Sequence, residues 1–590
     1  RDKVVGSRWV YAKKPNLVRC RLVSQEFAGS EKREDLYAGT PPMAATRYLL
    51  SDTVSRGRGA AGRRRKLMVL DVRRAFLHGI ATRLIHVELP DEESENGKYV
   101  GRLNKTLYGT RDAPVAWLRA VKADMEALGF LECKVTTGVY VHPTRDIRVV
   151  THVDDFLVAG ELADLEWLRD EMSKKYELKV QIAGWDHGDG KELSFLGRTI
   201  KLSSEGVTME GDDRHVKRLL EEWNMQSCSA VSTPYVKPTH VPETSANEDL
   251  SAKDLPAKDA TLYRKAAARV NYIALDRPDL SFASRVAASK MSSPKEGDDM
   301  LIKRIVRYLQ GKPQVAIHYG FQDPGQGVIV LTDSDWAGCV ETRRSTSGGV
   351  VKHGWHTITW WCKLQSRVAL SSCEAELNST LKGAMEGLNV QRLANAFNDW
   401  PSLELRTDAS AARGVILRQG VGKVRHLHVK QLWIQDAVAA GELVVVTIPR
   451  AQNCSDALTH AWTSADLDFW SEMGLRFSPS SHQVSSSSSS SSAQGPVLQL
   501  MSLESADGPW GPTRGSTSTS TSTRRPAEQW PVARAPAPEG QDRKSRAHTG
   551  GAAAKEEKSG PPKWGRWVRH TQERGLRKRR CPPWMPVAHG

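Results

Sequence analysis

The residues in this 590-residue chain best suited to chemistry are carboxylates in two separate clusters. In IRVVTHVDDFLVAG (147–160), two apolar β-like runs flank Asp154-Asp155, which predicts a hairpin with the aspartates at its tip. Upstream, KLMVLDVRRAFLHG (66–79) reads as an apolar strand with Asp71 near its end. Aspartate favours turns, so an ordinary surface turn is one reading. Against it, apolar residues press in on both sides, where carboxylates are costly unless a cation pairs with them. Three carboxylates on adjacent strands are what two divalent ions, about 3.5–4 Å apart, need for in-line nucleotidyl transfer.

The second cluster lies downstream. VIVLTDSDWAG (328–338) is a β-like run ending in Asp333, with Asp335 as the competing acid. VALSSCEAEL (368–377) is expected to end a strand; Ser371-x-x-Glu374 forms a capping box for the next helix and leaves Glu376 free to bind metal. LELRTDASAA (403–412) is a strand with Asp408 at its end, and AQNCSDALTHAW (451–462) is expected to open a helix that carries Asp456. Any one of these acids alone reads as a cap or a surface group. Their order (strand, helix, strand, helix) resembles the four-carboxylate site of RNase H, which implies two metals and water attack on an RNA phosphodiester. His426 and His428 are the nearby imidazoles, and neither is taken as a ligand.

The elements that position these residues mix strands and helices. Apolar spacing predicts helices at 116–129, 214–224 and 300–310. The polar stretch 237–260 reads as a linker. From residue 478 the chain turns to low complexity, with Ser485 to Ser492 in one run and Ser/Thr alternating from Ser516 to Thr523, a composition that predicts disorder. The basic run RGLRKRR (574–580) is either a nuclear address, a nucleic-acid contact or a solvated charge run. RGRGAAGRRRK (56–66) is likewise a phosphate-contacting loop or a solvated one.

Composition narrows the class. The net charge is +16, of which residues 478–590, with 17 Lys and Arg against 8 Asp and Glu, supply +9. A basic body fits a polyanionic partner. Apolar residues make up 39%, below the roughly 45–50% typical of globular chains, which fits an unfolded segment. No stretch approaches the ~18 apolar residues of a helical membrane span. The opening RDKVVGSRWVYAKK has no apolar signal core and reads as starting inside a domain. Eight cysteines without a C-x-x-C spacing argue against a zinc module or disulfide scaffold and fit a reducing compartment.

The ordered motifs VGSRWVYAKK, VRCRLVSQEF, LDVRRAFLHG, GRLNKTLYGTRDAPVAW, HVDDFLVAG, SFLGRTI and AVSTP resemble the reverse transcriptase of Ty/copia-type LTR retrotransposon Pol polyproteins. YRKAAARVNYIALDRPDLSFA, LTDSDWAGCVETRRSTSGG, ALSSCEAEL and RHLHVK resemble that family's connection and RNase H regions, so the likeness runs from about residue 4 to 477. It implies an α+β fold: a right-hand polymerase (fingers, palm and a short thumb) over 1–236, linker and connection over 237–325, an RNase H-like domain over 326–477 and a disordered tail over 478–590. The implied activity is RNA-directed DNA synthesis with RNase H, using two Mg2+ or Mn2+ per site. The alternative is an inactive or domesticated remnant that binds nucleic acid. Implied partners are RNA template, DNA primer, RNA–DNA hybrid, dNTPs and other Pol or Gag products, with no membrane. The implied location is cytoplasmic, in virus-like particles, and/or nuclear.

By the same resemblance, Asp71, Asp154 and Asp155 are the palm metal ligands, and Asp333, Glu376, Asp408 and Asp456 those of the nuclease. Asp333 matches the first nuclease ligand better than Asp335. Arg21 would grip the triphosphate, its planar fork suiting phosphate oxygens. Phe76 falls where an aromatic steric gate would exclude a ribose 2′-OH; a core Phe is the competing reading. Tyr108 and Gly109 match the nucleotide-pocket loop, and Phe195, Leu196 and Gly197 either a primer-holding hairpin or a plain β-turn. The chain departs from the family at His152 (usually Tyr), Gln25 (usually Lys), Glu26 (usually Gly) and the Arg73-Arg74 pair.

Overall fold

A computed structural model describes residues 4–14, 17–27, 36, 38–57, 64–90, 93, 99–237, 253–422 and 424–477. These residues form mixed α and β structure within one compact unit spanning residues 1–492. The tail beyond 477, with its disorder expectation and basic run, lies outside them, as do 238–252 of the expected linker. The rest of that linker is ordered, because a helix, Ala257–Ile273, already begins inside it.

The first catalytic candidates sit on an antiparallel sheet. Its strand order is Leu178–Ala183, Lys66–Val72, Asp155–Gly160, Ile147–His152, Val139–His142 and Leu131–Glu132. The run KLMVLDV reads as continuously apolar because both faces of its strand are buried. Leu67 and Val69 face one core; Met68, Leu70 and Val72 face another, packed by Trp117, Val121 and Met125 of the helix Ala113–Ala127.

The second candidates sit on a mixed five-stranded sheet. Its order is His356–Leu364, Thr346–His353, Val328–Ser334, Leu403–Thr407 and Val444–Thr447, with the last two pairings parallel. The long helix Ser372–Ala396 crosses one face. A Cβ on Gly383 would collide with the Thr332 methyl, so glycine lets the helix close on the central strand.

A third sheet knits distant segments together. Glu192–Phe195, Arg198–Ser203 and Gly206–Glu210 pair onward to Val315–Gly320 and then to Leu475–Phe477. The helix Met43–Arg56 lies between the first two sheets and is buried on almost every side. Its Ser51 hydroxyl meets the Nδ1 atoms of His353 and His356, each at 2.8 Å, while Asp52 pairs with Arg148 at 3.0 Å. Arg148 in turn donates to the Phe397 carbonyl at 3.0 Å.

This network corrects the reading of 56–66 at three of its residues, while Arg64 is exposed. Arg56 pairs with Asp52, Arg65 with Asp146, and Lys66 with Asp189 at 2.6 Å, so these cations are structural and neither grip phosphate nor point into solvent. Residues 58–63 lie outside the described residues.

Candidate active sites

The polymerase candidates converge through strand register. Asp155 opens its strand directly opposite Asp71, and Lys179 of the outer strand is the other neighbour of Asp71. Asp154 lies in the two-residue turn before Asp155, and its carbonyl accepts from the Val72 amide at 2.9 Å. The turn places Val153 at φ 59°, a left-handed conformation that is uncommon and strained for a β-branched residue. Trp117 Nε1 donates to the Val153 carbonyl at 2.6 Å, which holds the hairpin tip in that shape. Burial, then the neighbouring Asp154 and Asp71, push the Asp155 carboxyl up to about 7; burial also raises Asp154. These are the signs of carboxylates crowded with too little positive charge between them.

Beside them, the side chains expected to contact a nucleotide form one stack. The Arg21 guanidinium lies 5.0 Å over the Tyr108 ring, and Phe76 meets Tyr108 edge-on at 5.2 Å. Phe76 is partly buried against the core on the Trp117 side of the sheet. Gly109 adopts φ 89°, and a Cβ there would fall onto the Ser24 carbonyl oxygen. Its neighbour Tyr108 accepts from the Ser24 amide at 2.7 Å, which fastens this loop to the strand carrying Arg21.

Phe195 ends a strand, and Leu196 and Gly197 form a two-residue turn with φ 51° and 74°. That turn lines a cleft of ≈ 190 Å³ together with Asp71, Asp155, Lys179, Gln181 and Ser194. The turn of the expected primer-holding hairpin and two of the three aspartates therefore line one cleft; Phe195 itself is buried in the core. Lys179 and Gln181 were missed by the sequence reading. In ELKVQIA they are simply the polar alternates of a strand, and only its pairing with Lys66–Val72 aims them at the carboxylates.

The nuclease candidates are gathered more tightly. One carboxylate oxygen each from Asp333, Glu376 and Asp408 lies within 4.8 Å of the others, the one such cluster of acids or metal-ligating groups among the described residues. Glu376 Oε2 is buried without a hydrogen-bond partner, an orphan acceptor of the kind a cation satisfies. Burial, then Asp333 and Asp408, push Glu376 up to about 9, and burial raises Asp333 to about 6. Asp408 is raised as well, first by burial and then by Asp456. Asp456 lines the same open cleft of ≈ 420 Å³.

Several local expectations change here. Asp456 sits in a single 3-10 turn, Asp456–Leu458, because Asn453 and Ser455 hydrogen-bond locally instead of continuing a helix. The segment before Ser371 ends no strand; the preceding strand stops at Leu364. The Ser371 hydroxyl does accept from the Glu374 amide, and Glu374 returns a carboxylate to the Leu370 amide at 2.8 Å, one residue short of the reciprocal box. Asp335 lines the same cleft but accepts from the Thr346 amide and is not one of the three gathered acids. His426 pairs with Glu374 at 3.2 Å, and His428 contacts Arg367, so both imidazoles are occupied outside the cluster.

Residues unforeseen from sequence complete this cleft. Arg450 donates to Asp456 at 2.9 Å, Thr459 donates to Asp333, and His460 lies 3.9 Å from Asp456. The i, i+4 spacing of Asp456 and His460 was the available signal. Arg450 carried none, because its nearness depends on the loop after Val444–Thr447.

A divalent ion should stabilise this chain in a pH-dependent way. In the ion-free fold these carboxyls hold protons that the unfolded chain releases near pH 4. Stability from that source is present at low pH and is lost as pH rises through about 6 at Asp333, 7 at Asp155 and 9 at Glu376. A bound ion replaces the protons, so its benefit grows over the same window. With Mg2+ about tenfold above its Kd, Tm should rise about 1–2 °C at pH 8.5 and hardly at pH 6. Equal shifts at both pH values would mean that the carboxylates do not bind the ion.

Residues 1–237 match the family described as "Reverse transcriptase (RNA-dependent DNA polymerase)". The chain is 28% identical over 510 residues to the Retrovirus-related Pol polyprotein from transposon RE1 of Arabidopsis thaliana, covering 81% of this chain and 32% of that protein. It is 26% identical to the Pol polyprotein from transposon TNT 1-94 of Nicotiana tabacum, covering 77% and 34%. Among solved structures, LC11-RNase H1 is matched at 22% identity over 22% of this chain and 92% of that one, with a TM-score of 0.17. Over about four-fifths of its length the chain is similar to copia-type retrotransposon Pol polyproteins, and its residues 1–237 match the reverse transcriptase family. It spans about a third of the length of the curated relatives it matches.

Proposed function

We propose that this chain is a two-site enzyme that copies retrotransposon RNA into DNA at one site and hydrolyses the RNA of the resulting hybrid at the other. The observation that carries the reading is the presence of two separate, crowded carboxylate clusters, each at strand ends beside an open cleft. Fingers, palm and short thumb would occupy 1–236, the connection 237–325 and the RNase H-like domain 326–477. The substrates would be RNA template, DNA primer, dNTPs and RNA–DNA hybrid. The work would take place in cytoplasmic virus-like particles and/or the nucleus, with other Pol or Gag products as partners.

Asp71, Asp154 and Asp155 would hold two divalent ions in the polymerase site; Asp333, Glu376, Asp408 and Asp456 would hold two in the nuclease. Bound there, such ions activate an attacking oxygen and neutralise the leaving one. The protein's own side chains orient the reactants. Arg21 would take the triphosphate oxygens, its guanidinium already held over Tyr108. The Leu196-Gly197 turn would bear on the primer end, in the same cleft as Asp71 and Asp155. Lys179, opposite Asp71 in the sheet, brings positive charge to bear on Asp155. In the nuclease, Arg450 and His460 flank Asp456 where the scissile phosphate would enter.

The test is primer extension on poly(rA)/oligo(dT) with Mg2+, alongside release of RNA from a labelled hybrid. Both activities are expected. Binding of the hybrid with neither activity would favour a domesticated nucleic-acid-binding remnant.

Phe76 would act as the gate beneath the incoming sugar. In Phe76→Val and Phe76→Ala, the ratio of kcat/KM for dNTP over rNTP should fall about tenfold or more, because the space that excluded a 2′-OH opens. That ratio does not depend on the amount of folded enzyme. If Phe76 only packs the core, Phe76→Ala would cost about 3–5 kcal/mol of stability and leave the ratio unchanged.

A further inference from the structure

Glu26 stands where the family resemblance leads one to expect glycine, and the structure gives its side chain specific work. Both of its carboxylate oxygens accept from Arg83, at 3.0 and 3.1 Å. One of them also accepts from the Arg111 amide at 2.8 Å. Arg83 turns its remaining edge to Asp112, with Nε and Nη2 each 3.1 Å from a carboxylate oxygen. Asp112 is the N-cap residue of the helix Ala113–Ala127, yet it caps none of that helix's amides with its side chain. Its carboxylate serves Arg83 instead. A bidentate Arg–carboxylate pair is directional, and four of these five contacts join a guanidinium to a carboxylate.

The clamp joins three separate parts of the chain. Glu26 follows the strand Leu17–Ser24 that carries Arg21. Arg83 lies in the loop between the 3-10 turn Ala75–His78, which carries Phe76, and the strand His86–Glu88. Asp112 and Arg111 end the loop that carries Tyr108 and Gly109. The strand bearing Arg21 belongs to a two-stranded sheet, Ser7–Lys14 with Leu17–Ser24, that pairs with no other sheet among the described residues. An isolated hairpin is marginally stable in water, so the direction of this arm is set where it is anchored. Anchoring comes from the Ser24 amide on Tyr108, the Gln25 amide on Gly6 at 2.7 Å and the Glu26 carboxylate.

We propose that Glu26 is a positioning residue for the nucleotide pocket: through Arg83, Asp112 and the Arg111 amide it holds the Arg21 arm against the Tyr108 loop. The proposal rests on the polymerase reading of that pocket. Burial pushes Glu26 upward, but Arg83 and the Arg111 amide outweigh it and keep the carboxyl below its usual value, so the clamp stays charged at neutral pH. The Glu26 carboxylate is taken up by Arg83 and the Arg111 amide, outside the Arg21–Tyr108–Phe76 stack. Its effect therefore falls on how well the pocket is assembled before the nucleotide arrives.

The experiment compares the full chain with Glu26→Gln and with Arg83→Lys. Gln keeps the shape and one acceptor but loses the charge; Lys keeps the charge but loses the fork. Expected in both is a rise of about tenfold in KM for dNTP, with kcat within about threefold. Hydrolysis of the RNA–DNA hybrid should be unchanged, which reports that the chain is folded. Amide hydrogen exchange supplies an activity-independent measure: Arg111 and Ser24 should exchange about tenfold faster in the variants. Unchanged KM with unchanged exchange overturns the clamp, and so does a fall in kcat at constant KM. A wild-type chain that hydrolyses hybrid but extends no primer defeats the polymerase reading instead; exchange at Arg111 and Ser24 then still decides whether Glu26 holds the loop.

Discussion

Asp155→Asn should abolish DNA synthesis and leave RNA hydrolysis standing. The Asp155 carboxyl is raised to about 7 by burial and by the charges of Asp154 and Asp71. Lys179 brings opposing positive charge to bear on it. The substitution is nearly isosteric, and the strand stays buried on both faces, so the hairpin should keep its register with Asp71. What is lost is one negative charge from the group that would compensate two divalent ions. Such ions supply several kcal/mol of transition-state stabilisation, so primer extension should fall about 10³-fold or more. Hybrid hydrolysis, measured on the same preparation, should stay within about twofold. Loss of both activities would mean that one site serves both, or that the chain has unfolded.

Asp408→Asn should give the mirror result. Asp408 follows the central parallel strand Leu403–Thr407 and contributes one of the three oxygens gathered within 4.8 Å. Asn in its place removes charge from a cluster where Glu376 is already pushed up to about 9 by its neighbours. Relieving that repulsion should make the ion-free fold more stable at pH 8, by one carboxylate's worth of repulsion, while hydrolysis falls about 10³-fold. Activity and stability therefore move in opposite directions, which a simple folding defect cannot produce. A variant that loses hydrolysis and also melts earlier at pH 8 would show that Asp408 is structural. DNA synthesis should be unaffected.

The two variants test the same principle from opposite ends of the chain. Both clusters lie at strand ends, where the backbone has just left the sheet and side chains face open space. At Asp71 and Asp155 the crowding comes from cross-strand register; at Asp333 and Asp408 it comes from adjacent parallel strands, with Glu376 reaching in from a helix. Register of this kind does not tolerate slippage, since a one-residue shift would turn each acid to the other face.

Much of this was legible in the residues themselves. The DD hairpin, the strand ending at Asp71, the strands before Asp333 and Asp408, and the helices near 116–129, 214–224 and 300–310 all announce themselves by period and by apolar flanks. Local chemistry suffices there, because alternation, helical spacing and turn residues act over a few positions. It failed where a neighbour distant in sequence competes. The basic stretch 56–66 looks like a solvated loop, yet Arg65 is fully buried, because Asp52 and Asp146 arrive from elsewhere to pair with it.

The sequence alone therefore picked out the candidate acids, most of the strands that carry them, and the family that the chain resembles. Only the tertiary structure decided their company. It set Lys179 beside Asp71, brought Arg450 and His460 to Asp456, tied Asp335 to the Thr346 amide and His426 to Glu374, and buried the helix Met43–Arg56 between the two sheets. Glu26 belongs with these: in the sequence it is a departure from a pattern, and in the fold it is the carboxylate around which Arg83 and the Arg111 amide close. The physical reason is common to all of them. Hydrophobic periodicity is written along the chain, but a charge acquires its role from the groups within a few ångströms, and in these cases folding brings those groups from far away in the sequence.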